Sequence, residues 1–519
     1  MSKLLATKPL DQLLAEARSE GSHSLVRALG PYNLISLGIG AVIGAGIFVF
    51  TGTAAAQFAG PAITLSFVLA GIGCAFAGLC YAEFAAMIPI SGSAYTYGYA
   101  TLGEIFAWII GWDLVLEYAF SSATVASGWS GTIVSLLQDF GLNLPPQIIG
   151  TPGSELVFFQ GRWAAPATIL PALNAAGISP NSLPSATALF NLPAFISILI
   201  VTTILVVGVK ESARFNTIAV FIKVVTIVIF IAIAGAYLWQ NPGVLRNNWR
   251  EFIPENKGGF GQFGWSGIAR GASVIFFAYI GFDAVTTAAQ EAKNPQRDMP
   301  IGLLGSLAIC TVLFLCVAAT LTGVMHYSQL NVAAPVALAI DATGVRWGSL
   351  MVKFGSLAGL STVMLVTLMG QSRIFYSMSR DGLLPPWVSA IHPRFRTPWI
   401  SSIVVGLVVA TFSGLFPISV LGQLVSIGTL LAFVIVCAGV WTLRIKRPDI
   451  ERPFKAPWVP FTPLMGILLS LLLMASLPLD TWIRLVVWLL IGFAIYFGYS
   501  RRHSRVQAAQ NAQAAKTAD

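Results

Sequence analysis

The chain has 519 residues, of which 56% are hydrophobic and only 10% charged, and its formal charge is +9. Soluble domains carry about 25% charged residues, so most of this surface is not built to face water, and no stretch is left that could hold an ordinary soluble catalytic domain. The five cysteines (Cys74, Cys80, Cys310, Cys316, Cys437) stand in apolar segments without disulfide or zinc spacing and read as small buried hydrophobes, so no metal and no cofactor is expected.

Residues 1–32 read as a cytoplasmic N-terminal segment. Within it 10–28, with Leu13, Leu14, Leu25 and Val26, predicts a short amphipathic helix on the inner membrane face. The first thirty residues are polar, so no cleaved signal peptide is expected. Apolar runs long enough to cross a hydrocarbon core of about 30 Å follow. They are read at 33–57, 61–87, 102–137, 191–208, 213–239 and 264–289, then at 300–325, 347–378, 398–413, 418–442, 461–477 and 481–499. The stretch 138–190, rich in Pro, Gly, Ser and Asn, is expected to be an extracellular loop. The residues after Arg505 are Ala/Gln-rich and expected to be disordered within a cytoplasmic tail, 500–519.

Charge placement orients these spans. Lys210, Arg214, Lys293, Arg297, Arg380, Arg394, Arg396, the cluster Arg444 to Lys455 and Arg501, Arg502 and Arg505 fall on one side. The outer loops are read as holding fewer, among them Arg162, Arg246, Arg250, Lys257, Arg346 and Lys353. The positive-inside bias puts both termini in the cytoplasm, and the basic balance reports topology and acidic lipid headgroups, with no nucleic-acid partner.

Two spans break the helical rule. The first reads LGIGAVIGAGIFVFTG from Leu37 to Gly52, with glycine at 38, 40, 44, 46 and 52; the sixth reads FFAYIGFDA from Phe276 to Ala284. They open the first five spans (33–239) and the second five (264–442), where an inverted five-plus-five repeat sets its two discontinuous helices; 461–499 would add helices eleven and twelve. Unwound backbone at membrane depth needs a cavity or ligand to satisfy it. Free N–H groups suit a carboxylate and free carbonyls suit an ammonium, and an amino-acid zwitterion carries both. The competing reading is that the glycines serve close helix packing alone.

Ionisable groups at depth are the other signal. Lys223 lies about 15 Å from the inner end of its span. Glu117 sits mid-span with Asp113 one turn before it, and Asp283 follows the second break. Each is a candidate for proton exchange, or else a structural ion pair. Glu83 and Glu104 read as interfacial, and His326 as an interfacial residue ending span seven.

On these stretches the chain resembles the amino acid–polyamine–organocation superfamily, in particular the shorter twelve-span bacterial form of its cationic amino acid transporter family. The matching runs are LGIGAVIGAGIFV, YAEFAAMIPISGSAYTY, GWDLVLEY with VASGWSG, FFAYIGFDAVTTAAQEAKNPQRDMPIG and GQSRIFYSMSRDGLLP, with ARFN and Lys223 fitting as well. The resemblance implies an all-α integral membrane protein with the five-plus-five, leucine-transporter-like fold and alternating access. It implies that Ala45 and Gly46, with Val42 nearby, meet the substrate carboxylate. The carbonyls of Phe277, Ala278 and Ile280 would meet the ammonium, with Phe277 also a gate. It links Lys223 to sodium independence and Glu117 to proton-coupled uptake. It makes Thr367 a size filter, small enough here for arginine, lysine or ornithine, its hydroxyl able to accept from a cationic tip. The expected partners are therefore an L-amino acid, protons and membrane lipids, in a cell membrane. Alternatives that keep the fold are a sodium-independent exchanger or facilitator for small neutral amino acids or polyamines, and a nutrient sensor. A channel would need a polar stripe or filter repeat, and a membrane enzyme a cluster of His, Cys or carboxylates at one face; the sequence offers neither.

Overall fold

In hydrocarbon an apolar run has no water to bond its backbone, so it closes its own N–H···O ladder and becomes a helix. A computed structural model of the chain follows this rule; it describes residues 6–8, 29–88, 93–166, 169, 173, 177–207, 212–332, 334–395 and 397–510. The helix α1 (Pro31–Val42) stops inside the protein, and a π-helical turn (Gly46–Phe50), α2 (Thr51–Ala54) and a second π stretch (Ala55–Ala59) resume its course. Gly60, at φ 60°, then turns the chain into α3 (Ile63–Met87). α4 (Ser93–Thr101) and the long α5 (Glu104–Asp139) follow, then α6 (Leu192–Val207), α7 (Ser212–Gln240), α8 (Pro242–Asn248) and α9 (Gly264–Ile275). Two 3₁₀ segments, Phe276–Tyr279 and Asp283–Glu291, lead to α10 (Pro295–Val324), α11 (Pro335–Ala342) and α12 (Arg346–Arg380). The chain ends with α13 (Trp399–Leu415), α14 (Ile418–Lys446), α15 (Phe461–Ser476) and α16 (Leu479–Ile495), the last running on through a π turn and α17 (Arg501–His503).

Among the described residues eight helical segments are long and apolar enough to cross a membrane, and α1, α6, α13 and α15 are further apolar helices of 12 to 17 residues. This is a helical multi-pass membrane protein. α16 shows how its rim is built. Ile483, Val486, Val487, Leu490 and Ile491 are exposed, as a lipid-facing stripe requires, while Trp488 stacks on Trp112 of α5 at 4.5 Å and each indole N–H reaches the other residue's carbonyl.

Several expectations need correction. The segment 138–190 is not all loop: β1 (Glu155–Phe159) pairs antiparallel with β2 (Arg162–Ala164) on one side and β3 (Ser185–Thr187) on the other. The short alternation of LVFF and the RWA strand were too brief to stand out from loop composition. The tail beyond Arg505 is helical from 505 to 510, and Ser504 and Gln507 are buried. Their anchor is Glu104, which is fully buried. It accepts from Tyr99 (2.8 Å), Tyr496 (2.9 Å), Gln507 (2.8 Å) and Ser504. Glu83 is buried too, held by both Arg444 guanidinium contacts, by Arg452 and by the Ala456 N–H. Lys353 lies within α12 rather than in an outer loop, its side chain fully buried between Asp139 (2.5 Å) and Asp341 (2.8 Å). Cys316 is exposed on α10, where the other four cysteines are buried. The amphipathic helix expected at 10–28, Lys210 and Arg396 lie outside the described residues.

Candidate functional site

The two breaks meet at the centre of the helix bundle. α1 ends because Ile43 turns extended (ψ 100°), which leaves the carbonyls of its last turn without intrahelical donors. Lys223 of α7, fully buried, supplies one: its Nζ donates to Gly40 O at 2.7 Å. A cation at a helix C-terminus also meets the negative end of the helix dipole. On the far side of the break the segment starting at Gly46 presents N–H groups that no preceding turn can satisfy.

The second break is built by Ile280, extended at ψ 134°, and Gly281, at φ 109°, a conformation glycine adopts at no cost. A Cβ on Gly281 would meet Ala41 O at 2.9 Å, so the two unwound stretches lie directly against each other. Gly46 makes the same point more severely, because a Cβ there would overlap the Ala278 backbone and side chain. Glycine at 46 is therefore required for the packing of one break on the other, because Ala278 fills the space a side chain would take.

The structure thus brings together most of the residues picked from sequence. Val42 and Ala45 are buried at the first break, and Phe277, Ala278 and Ile280 are buried at the second. The Phe277 ring lies 4.7 Å from Phe50, and its carbonyl accepts from the Ile280 N–H at 3.2 Å. A Cβ on Gly44 would touch Val363 of α12 at 3.1 Å, which brings α12 to the first break. Thr367 is one turn further along. Its hydroxyl is already engaged, donating to Val363 O at 2.7 Å and lying 2.7 Å from Ser122 Oγ of α5.

Glu117 is buried, with Oε2 accepting from Thr429 of α14 at 2.8 Å and Oε1 without a partner. Both oxygens of Asp113 are buried and unpartnered. Asp283 heads the second 3₁₀ segment, its carboxylate over the N–H groups of Gly281, Asp283 and Ala284 without reaching good hydrogen-bond geometry. Asp113 and Asp283 stand within electrostatic reach of Glu117. Sequence reasoning missed Ser122, which meets Thr367, and Thr429, which donates to Glu117, and also the buried polar side chains of Tyr118 and Gln371. Their signal was polar residues spaced four apart in apolar helices, Tyr118 with Ser122 and Thr367 with Gln371.

Residues 29–504 match the family model described as amino acid permease. The chain belongs to the amino acid permease family. That family lies within the amino acid–polyamine–organocation superfamily. The permease is 43% identical over 504 residues to a methylthioribose transporter of Bacillus subtilis (97% of this chain, 99% of that protein). It is also 43% identical over 491 residues to a branched-chain amino acid permease of the same organism (94% and 96%). A vacuolar cationic amino acid transporter of Arabidopsis thaliana is 34% identical over 450 residues (86% and 68%). The permease therefore shares nearly its full length with relatives whose named cargoes differ, and its family assigns it amino acid transport without choosing the side chain.

Proposed function

We propose that this permease is a sodium-independent, proton-linked importer of L-amino acids that prefers arginine, lysine or ornithine. In this reading it sits in the cell membrane with both termini cytoplasmic. It crosses twelve times as two inverted five-helix units followed by two further helices, and works by alternating access around the paired breaks. The N–H groups from Gly44 to Ile47 meet the substrate carboxylate, and the carbonyls of the Phe277–Ile280 turn meet the ammonium.

The observation that carries the proposal is the Lys223 ammonium on Gly40 O, 2.7 Å away, at the C-terminal end of the first half-helix. A bound cation placed there would satisfy the same carbonyls, so a fixed ammonium removes the need for one. Proton linkage is supported by the carboxylates of Asp113 and Glu117, buried among the described residues without a cation in hydrogen-bond contact. Burying such groups charged and unpaired costs several kcal/mol each, which favours their carrying protons in this state and releasing them in another. A second reading, a neutral or branched-chain amino acid carrier, is favoured by the engaged hydroxyl of Thr367. The named cargo of the 43% identical branched-chain relative favours it too.

Uptake into proteoliposomes decides between them. The proposal expects accumulation under an inward proton gradient in sodium-free buffer, with arginine competing better than leucine or alanine. Thr367→Met should weaken arginine more than alanine. A steep sodium dependence, or leucine competing better than arginine, would overturn it.

A further inference from the structure

The two ends of the chain meet on one face of the molecule. Gln510 Nε2 donates to Thr7 O at 3.0 Å. Residues 6–8 run along the turn between α4 and α5, where the Glu104 N–H donates to Ala6 O at 3.0 Å and the Lys8 N–H to Tyr99 O at 3.1 Å. From α16 the tail crosses the turn that follows α12. There Ser500 Oγ donates to Leu383 O at 2.6 Å and the Arg505 N–H to Asp381 O at 3.1 Å. Gly382, at φ 82°, permits this crossing, because a Cβ there would overlap the His503 carbonyl. Ser504 then caps the helical residues that follow, its Oγ accepting from the Gln507 N–H at 3.2 Å.

The tail is seated on Glu104. A carboxylate has about four lone-pair sites, and here four neutral donors fill them. Tyr99 of α4 and Tyr496, just past α16, supply two; Ser504 and Gln507 of the tail supply the others. Little else holds the tail. Within 501–510 only Ser504 and Gln507 are buried, Val506 is half-buried, and the remaining residues are exposed. Such a segment, held by a few hydrogen bonds that water can replace, belongs to the low-stability end of a fold.

The element beneath it is α4. It packs on the second 3₁₀ segment, Asp283–Glu291, which leads away from the second break and whose Val285, Thr286, Ala288 and Ala289 are buried. The Tyr97 ring of α4 stacks on Phe84 of α3 at 4.9 Å. At the end of the 3₁₀ segment Glu291 O accepts from the Leu29 N–H and Leu29 O from the Lys293 N–H, both at 2.9 Å. The two stretches that run from the breaks to this face are thus joined at their ends, and α4 stands against one of them.

We propose that residues 500–510 are a releasable strap. Docked on Glu104, they hold α4 against the Asp283–Glu291 segment and keep this face of the transport path shut; undocked, they let it open. Order and disorder of a short segment is a common way to switch between two states. The strap acts on opening alone and is independent of which amino acid is carried.

Deleting residues 504–519 removes the strap, and Ser504→Ala combined with Gln507→Leu unseats it while keeping the chain. Hydrogen–deuterium exchange in detergent reads opening, and thermal unfolding reports folding. Counterflow of labelled L-arginine, L-leucine and L-alanine in proteoliposomes reads turnover. Both variants should speed exchange about tenfold in α4 and in Asp283–Glu291 as well as in the tail. Counterflow should rise severalfold, with KM held within about twofold of the parent's. Faster exchange confined to the tail, or counterflow at or below the parent's rate in a folded variant, would overturn the strap.

Discussion

Lys223 offers a clean separation of stability from transport. Its stem is part of the packing, since a Cβ on Gly359 would lie 3.2 Å from its Cγ and 3.5 Å from its Cε. Lys223→Met keeps a stem of similar length and removes the ammonium. Gly40 O then loses its donor at a cost of about 1–3 kcal/mol, offset in part because a cation no longer has to be buried. The folded protein should therefore unfold at nearly the parent's temperature. Lys223→Ala also empties the space beside Gly359 and should cost about 2–5 kcal/mol more, as other large-to-small changes in packed interiors do. If the ammonium is what holds the break in its working shape, both variants lose uptake to the same extent although only one loses stability. Thermal unfolding in detergent and uptake into proteoliposomes, with and without sodium, measure the two quantities on the same preparation. Parent-like uptake by Lys223→Met would refute the reasoning and reduce the residue to a filler of space.

Three other outcomes follow from the same geometry. In Glu117→Gln the amide oxygen still accepts from Thr429, so binding should persist, while gradient-driven accumulation is lost; unchanged accumulation would remove Glu117 from the coupling. Gly46→Ala should already abolish transport and lower the yield of folded protein, because even one methyl overlaps the Ala278 backbone; normal uptake would mean the breaks pack differently. Lys353→Met leaves Asp341 and one side of Asp139 without their cation. These carboxylates are partly exposed, with Asp139 also near Arg162 at 3.1 Å, so the loss should fall below the 3–5 kcal/mol of a fully buried pair. Thermal unfolding across a salt series checks it, and a variant as stable as the parent would show that the network contributes nothing.

The membrane class, the positions of most helices and the two breaks were legible in the sequence alone. Each rests on a local rule: twenty apolar residues force a helix, and glycines beside an aspartate at membrane depth mark where that helix stops. The depth of Lys223 and Glu117 could likewise be counted along a span. What a residue meets across the bundle could not. Glu83 and Glu104 sit near span ends and read as interfacial, yet Arg444 comes from 361 positions away and Gln507 from 403 to bury them. Lys353 read as a loop charge because its partners, Asp139 and Asp341, belong to other helices. That Ala278 packs against Gly46 could not be read from either span alone. Spacing along one chain records which face a side chain takes; only the packing of helix on helix decides whether that face finds a partner.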